Sequence, residues 1–142
     1  MGDLSFHFSR QELACRCCGR LQIEKRLIGA PEDLRSRAGV RIVIHAGYRC
    51  PAHNLEVGGV PDSEHTRGLA ADIHVPGLTQ QAMYELVSQV PLFAAGGIGA
   101  YDRIFYTSTC GDIVRAGHGC AGSTSALKSW YKSQKRGWHR LR

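Results

Sequence analysis

The sequence predicts an α+β fold, a small and mainly antiparallel sheet with helices packed against it. Three observations lead there. Val40-Arg41-Ile42-Val43-Ile44-His45 is a short β-branched run, and Leu69-Ala70-Ala71-Asp72-Ile73-His74-Val75 is a short, largely apolar one; both have strand length. Leu21 to Ala38 and Leu78 to Val90 instead space their apolar residues at helical intervals. A length of 142 residues suits one domain that buries about two thirds of its unfolded surface.

In chain order, Phe8-Ser9-Arg10-Gln11-Glu12-Leu13 puts Ser9 at an N-cap with Glu12 three positions on, a capping box that opens a short helix. The next stretch carries Leu21, Ile23, Leu27, Ile28, Leu34 and Ala38, and Pro31 is expected to restart its helix. The strand Val40–His45 then delivers Gly47-Tyr48-Arg49 to one end of the sheet. Pro51 to Leu55 suits a helical turn, and Gly58-Gly59 with Pro61-Asp62 makes a loop. After the second strand, Met83, Leu86, Val87 and Val90 mark the apolar face of a helix lying on the sheet. Gly96-Gly97-Ile98-Gly99-Ala100-Tyr101 has no following lysine and no G-x-G-x-x-G pattern opening a helix. It reads as a strand needing close backbone approach, not as a phosphate loop.

Composition narrows the class. A hydrophobic content of 43% with 21% charged residues is that of an ordinary soluble globular protein. No apolar run reaches the length of a membrane span, and Met1-Gly2-Asp3-Leu4 opens no basic-then-apolar leader. The net charge of +6 is concentrated late: Asp112 is the only acid after Asp102, while Lys128, Lys132, Lys135, Arg136, Arg140 and Arg142 crowd the end. Such a tail suits polyanions, but a solvated tail explains it as well. Six cysteines without a leader argue against a disulfide framework. Cys15-x-x-Cys18 with Cys50-x-x-His53 offers four ligands to a structural zinc, although Cys17 leaves the ligand choice open; buried free thiols are the alternative.

The stretch richest in chemistry is Ser63-Glu64-His65-Thr66-Arg67-Gly68-Leu69-Ala70-Ala71-Asp72. His65 and Asp72 supply an imidazole and a carboxylate, donors that suit zinc. Donor atoms about 2 Å from one zinc lie about 3–3.5 Å from each other. A straight strand would hold positions seven apart at roughly 23 Å, and a helix at about 10 Å along its axis. The backbone must therefore fold back, and Gly68 is the residue that permits it.

Upstream lie Ala46-Gly47-Tyr48-Arg49-Cys50-Pro51-Ala52-His53-Asn54 and Gly58-Gly59. With the His65–Asp72 motif these resemble the zinc D-alanyl-D-alanine carboxypeptidases and related bacterial and phage cell-wall peptidases. Their pattern runs S-G-Y-R-x-P-x-x-N, G-G, then S-x-H-x-x-G-x-A-x-D. The resemblance extends from about Phe8 to Tyr101. It implies His65 and Asp72 as zinc ligands at one sheet edge, zinc as cofactor, and a peptidoglycan peptide as substrate. Arg49 is then the catalytic candidate, because its planar fork matches a substrate carboxylate or developing oxyanion. A chain of this kind without a leader would be made in the cytoplasm and act at the wall, as a phage lysin does.

The sequence departs from the pattern after Tyr101. The resembling family continues with F-x-H-x-D-x-R, whose His completes the zinc site, but Ile104-Phe105-Tyr106-Thr107-Ser108-Thr109-Cys110-Gly111 has neither His nor Asp. His74, His118 and His139 are substitutes outside the pattern. A reading-frame shift between Arg103 and Tyr106 is another explanation. With suitable codons, the bases of Tyr106 to Gly111 read from the last base of each codon as His-Val-Asp-Val-Arg. The chain then divides into a peptidase-like zinc domain, 1–106, and an atypical basic segment, 107–142, loosely packed and out of frame. Two further readings are weighed: a non-catalytic zinc-containing module binding the cell wall or a protein, as the hedgehog domain resembles this family, and a nucleic-acid-binding domain. The last leaves His65 and Asp72 unexplained.

Overall fold

The computed structural model describes residues 2–59, 61–101 and 104–108. The expected basic segment, 107–142, lies outside them from residue 109 onward, His118 and His139 included. Helix α1 is Arg10–Leu13, α2 Lys25–Ala38, α3 Pro51–Glu56, α4 Gln80–Val87 and α5 Pro91–Ala95. The strands are β1 Val43–Ala46, β2 Ala70–His74, β3 Gly97–Tyr101 and β4 Ile104–Ser108, and a 3-10 turn covers Glu64–Arg67. The four strands form one sheet in the order β1-β2-β4-β3, antiparallel at every pairing. This is the expected α+β architecture. Among the described residues no helix is long and apolar enough to cross a membrane.

Strand alternation and helix periodicity meet in one core. The sheet contributes Ile44, Ala71, Ile73, Ile98 and Phe105; the helices contribute Leu27 and Leu34 from α2, Met83 and Val87 from α4, and Phe93 from α5. Helix α2 packs against α4 and α5, and α5 also touches β3 and β4. Phe8 and Leu13 close the core at the amino-terminal end. Helix α1 starts where Glu12 reaches back to Ser9, its Oε2 accepting from Ser9 N at 2.7 Å and from Ser9 Oγ at 2.9 Å.

Three local expectations are corrected. Helix α2 begins at Lys25, not near Leu21, because the residues before it are extended and Glu24 N donates to Gly68 O at 3.0 Å. It also runs unbroken through Pro31, which is fully buried; apolar packing outweighs the lost helical hydrogen bond. The helix expected from Leu78 to Val90 is shorter, Gln80–Val87; Val90 instead caps α5, which Pro91 opens from a position that proline favours.

Strand β4 is central to the sheet, lying between β2 and β3. Thr107, where loose packing was expected to begin, is fully buried within it. Phe105→Ala removes a completely buried ring from this strand. It should cost about 3–5 kcal/mol, read from the denaturant midpoint of the two-state transition. A loss below about 1 kcal/mol would mean that β4 adds little to the folded state.

Candidate metal site

The site is built on the 3-10 turn and the two strands beside it. Ser63 caps the turn by accepting from His65 N at 3.3 Å, and Thr66 Oγ1 donates to Ser63 O at 2.6 Å. Gly68 ends it in the left-handed region, with φ +72°. A Cβ at that position would lie 2.1 Å from the Gln22 carbonyl oxygen and 3.0 Å from Ile23 Cα. Glycine is thus required twice over, by its dihedral and by the chain crossing above it. The chain turns back and enters β2, which carries Asp72.

His65 is 3% exposed, and its Nδ1 lies 2.7 Å from Gly47 O. A carbonyl only accepts, so a neutral His65 bears its hydrogen on Nδ1 and keeps a lone pair on Nε2. That Nε2 lies 3.4 Å from Asp72 Oδ1. Two acceptors facing each other at this distance repel unless a cation or a proton lies between them. The separation is that of two ligands sharing one zinc, and a backbone carbonyl on Nδ1 is the usual support of a metal-binding imidazole. These residues fit a metal.

Arg49 completes the arrangement. Its Nη2 donates to Asp72 Oδ2 at 2.8 Å, and its backbone N–H donates to His65 O at 3.1 Å. The Arg49 and Asp72 side chains are 19% and 15% exposed, so the pair is largely withdrawn from water. Strand β1 brings this about through an irregularity. Ile44 pairs with Ile73 but Ala46 pairs with Asp72, which leaves His45 as the extra residue of a bulge. The bulge ends the strand and is followed at once by Gly47, Tyr48 and Arg49.

Among the described residues, the one group of three or more His, Cys, Asp or Glu donors drawn together is Cys15, Cys17, Cys18 and Cys50, not a group around His65. His74 shares the β2 face of Asp72 by alternation. Its ring is instead stacked on His45, with centroids 4.7 Å apart and Nδ1 2.5 Å from His45 Nε2. Burial first, then the charges of His45 and Arg41, lowers the His74 pKa. The expected structural-zinc set with His53 is corrected, because His53 follows α3 around to Glu56, where Nδ1 lies 3.4 Å from Oε2. Cys17 takes its place in the cluster. No spacing rule separates Cys17 from Cys18, so only the folded turn reveals that both belong.

An oriented imidazole and a carboxylate are thus held beside a guanidinium on an antiparallel sheet. The family model described as Peptidase M15 matches residues 6–107. The chain therefore belongs to the peptidase M15 family, a family of zinc-dependent metallopeptidases. No curated protein and no solved structure matches the chain.

Gly68→Ala should destabilise the fold by at least about 2 kcal/mol, since the left-handed backbone alone costs an L-residue about 1–2 kcal/mol and the crossing chain adds a clash. Chemical denaturation measures it. Wild-type stability in this variant would show that the crossing at Gln22 is not tight.

Proposed function

We propose that this chain is a zinc D,D-peptidase acting on peptidoglycan stem peptides, as a D-alanyl-D-alanine carboxypeptidase or an endolysin-like endopeptidase. In this reading His65 and Asp72 are zinc ligands and Arg49 is the catalytic residue that pairs with substrate. The observation that carries it is His65 Nε2 facing Asp72 Oδ1 at 3.4 Å. Zinc bound there supplies a Lewis acid that polarises the scissile carbonyl and lowers the pKa of a coordinated water. Gly47 O fixes the His65 tautomer, and Arg49 holds the Asp72 carboxylate in orientation through one nitrogen. The guanidinium is a fork of five N–H donors, so engaging Asp72 is compatible with pairing to a substrate carboxylate or oxyanion.

The shift of reading frame belongs to the same proposal, and the sheet register supports it. The family match ends at residue 107. Position 106 pairs with Asp72 across β2 and β4, and residues directly opposite in an antiparallel pair share a face. If the frame changed by a net gain of two bases, the His-Val-Asp order starts at 106, which sets the histidine beside Asp72, returns a valine to the buried slot of Thr107, and puts the aspartate on the histidine's face. Thr107 now fills that slot as a polar residue, its Oγ1 donating to Ala71 O at 2.9 Å. The division at 106 and 107 follows the proposed change of frame, although β4 continues to Ser108.

Two ligands hold zinc far more weakly than three. Restoring His-Val-Asp-Val-Arg should therefore raise metal content by about one zinc per chain after dialysis. It should also raise D-alanine release well above that of the unaltered chain. Equal metal content and equal turnover in both forms would overturn the frame proposal. In the restored form, Arg49→Ala should lower kcat/KM on D-Ala-terminated peptides by about 10²-fold, equivalent to about 3 kcal/mol of transition-state pairing. An unchanged value would remove Arg49 from the catalytic residues.

A further inference from the structure

We infer a second metal site, a structural zinc held by the four thiolates of Cys15, Cys17, Cys18 and Cys50. It shares no ligand with the His65–Asp72 pair. The four sulfur atoms lie within 4.8 Å of one another. Cys17 Sγ is 3.4 Å from Cys50 Sγ and 3.8 Å from Cys15 Sγ. Zinc–sulfur bonds of about 2.3 Å in a tetrahedron require sulfur–sulfur edges of about 3.8 Å. The cluster already has those dimensions, and its separations exceed by far the roughly 2.05 Å of a disulfide.

The surrounding chain is folded to support it. Cys15 N donates to Arg20 O at 2.8 Å and Gly19 N donates to Cys15 O at 2.9 Å. Together they close a tight turn, with Gly19 at φ +70°, that gathers three cysteines on one side. The fourth arrives 32 residues later, as the numbering of Cys18 and Cys50 gives 50 − 18. The sulfurs also receive the hydrogen bonds that stabilise thiolates. Cys50 N donates to Cys15 Sγ at 3.4 Å, His53 N to Cys50 Sγ at 3.4 Å and Arg20 Nε to Cys18 Sγ at 3.5 Å. Binding one Zn²⁺ leaves four thiolates around a divalent ion, a site of net charge about −2, half of which the Arg20 guanidinium offsets. Soft thiolates in a closed tetrahedral set with no open position favour zinc in a structural role.

The location gives the site its purpose. Cys50 directly follows Arg49, while Tyr48 N donates to Leu13 O at 2.8 Å, two residues before Cys15. A zinc here staples the amino-terminal turn to the segment that carries Arg49.

The test uses the full chain as written. It should purify with about one zinc that survives dialysis. Replacement by Co²⁺ should give the intense sulfur-to-cobalt charge-transfer absorption of a tetrathiolate, which the His65–Asp72 pair lacks the sulfur to produce. Cys17→Ser and Cys18→Ser, both at exposed positions, should weaken zinc retention at least as much as the roughly 10–100-fold that losing a supporting partner costs. Arg20→Ala should fall within that range, and His53→Ala should leave the cobalt spectrum unchanged. Should a serine variant not fold, the cobalt spectrum and thiol reactivity of the parent decide. Free reactivity of Cys15, Cys17, Cys18 and Cys50 in the presence of zinc, a disulfide among them, or iron in place of zinc would each overturn the assignment.

Discussion

The His65–Asp72 arrangement depends on one backbone crossing, where the extended chain at Gln22 and Ile23 lies against Gly68. The crossing is tied by Glu24 N donating to Gly68 O. Without a glycine there the turn could not be covered, and the imidazole would lose its enclosure. With it, His65 is buried, its lone pair is aimed at a carboxylate, and β2 leaves the turn in the right direction to present that carboxylate. Rigidity comes from several short bonds made by different segments: Ser63 within the turn, Gly47 from the end of β1 and Arg49 beyond it.

The bulge at His45 serves the same end. Regular pairing of β1 with β2 would keep Gly47 in the ladder; the extra residue ends the ladder at Asp72 and frees the next three residues for other work. Gly47 gives its carbonyl to His65, Tyr48 its N–H to Leu13, and Arg49 its guanidinium to Asp72. Cys50 then belongs to the thiol cluster. One short segment therefore links the two candidate metal sites and the amino-terminal turn, which explains why so small a domain can hold an arginine in a largely buried ion pair.

Membership of a peptidase family and a complete active site are separate matters in this chain. The family match ends within β4, and among the described residues no histidine, cysteine or acid joins His65 and Asp72 as a third close donor. Across the sheet, position 106 is opposite Asp72. Backbone pairing in β4 depends little on the identity of alternate side chains, so the sheet forms whichever residue stands at position 106.

The sequence by itself determined the α+β class, the pairing of a turn with a strand around Gly68, and His65, Asp72 and Arg49 as the residues to watch. The class, the turn and the His65–Asp72 pair are local matters of periodicity, spacing and donor type, each settled within about ten residues; Arg49 stood out through the resemblance of its segment to the cell-wall peptidases. Element ends were less legible: the start of α2 depends on the distant Gly68, and Pro31 stays helical only because it is buried. Tertiary structure alone decided which His65 nitrogen faces Asp72, since the deciding carbonyl lies 18 residues away. It decided too that Arg49 rests on Asp72, that His74 pairs with His45, and that Cys17 rather than His53 joins the cysteine cluster. In each case the reason is the same. A side chain's partner is chosen by which segments the packed core brings together, and that choice is written in no single stretch of the chain.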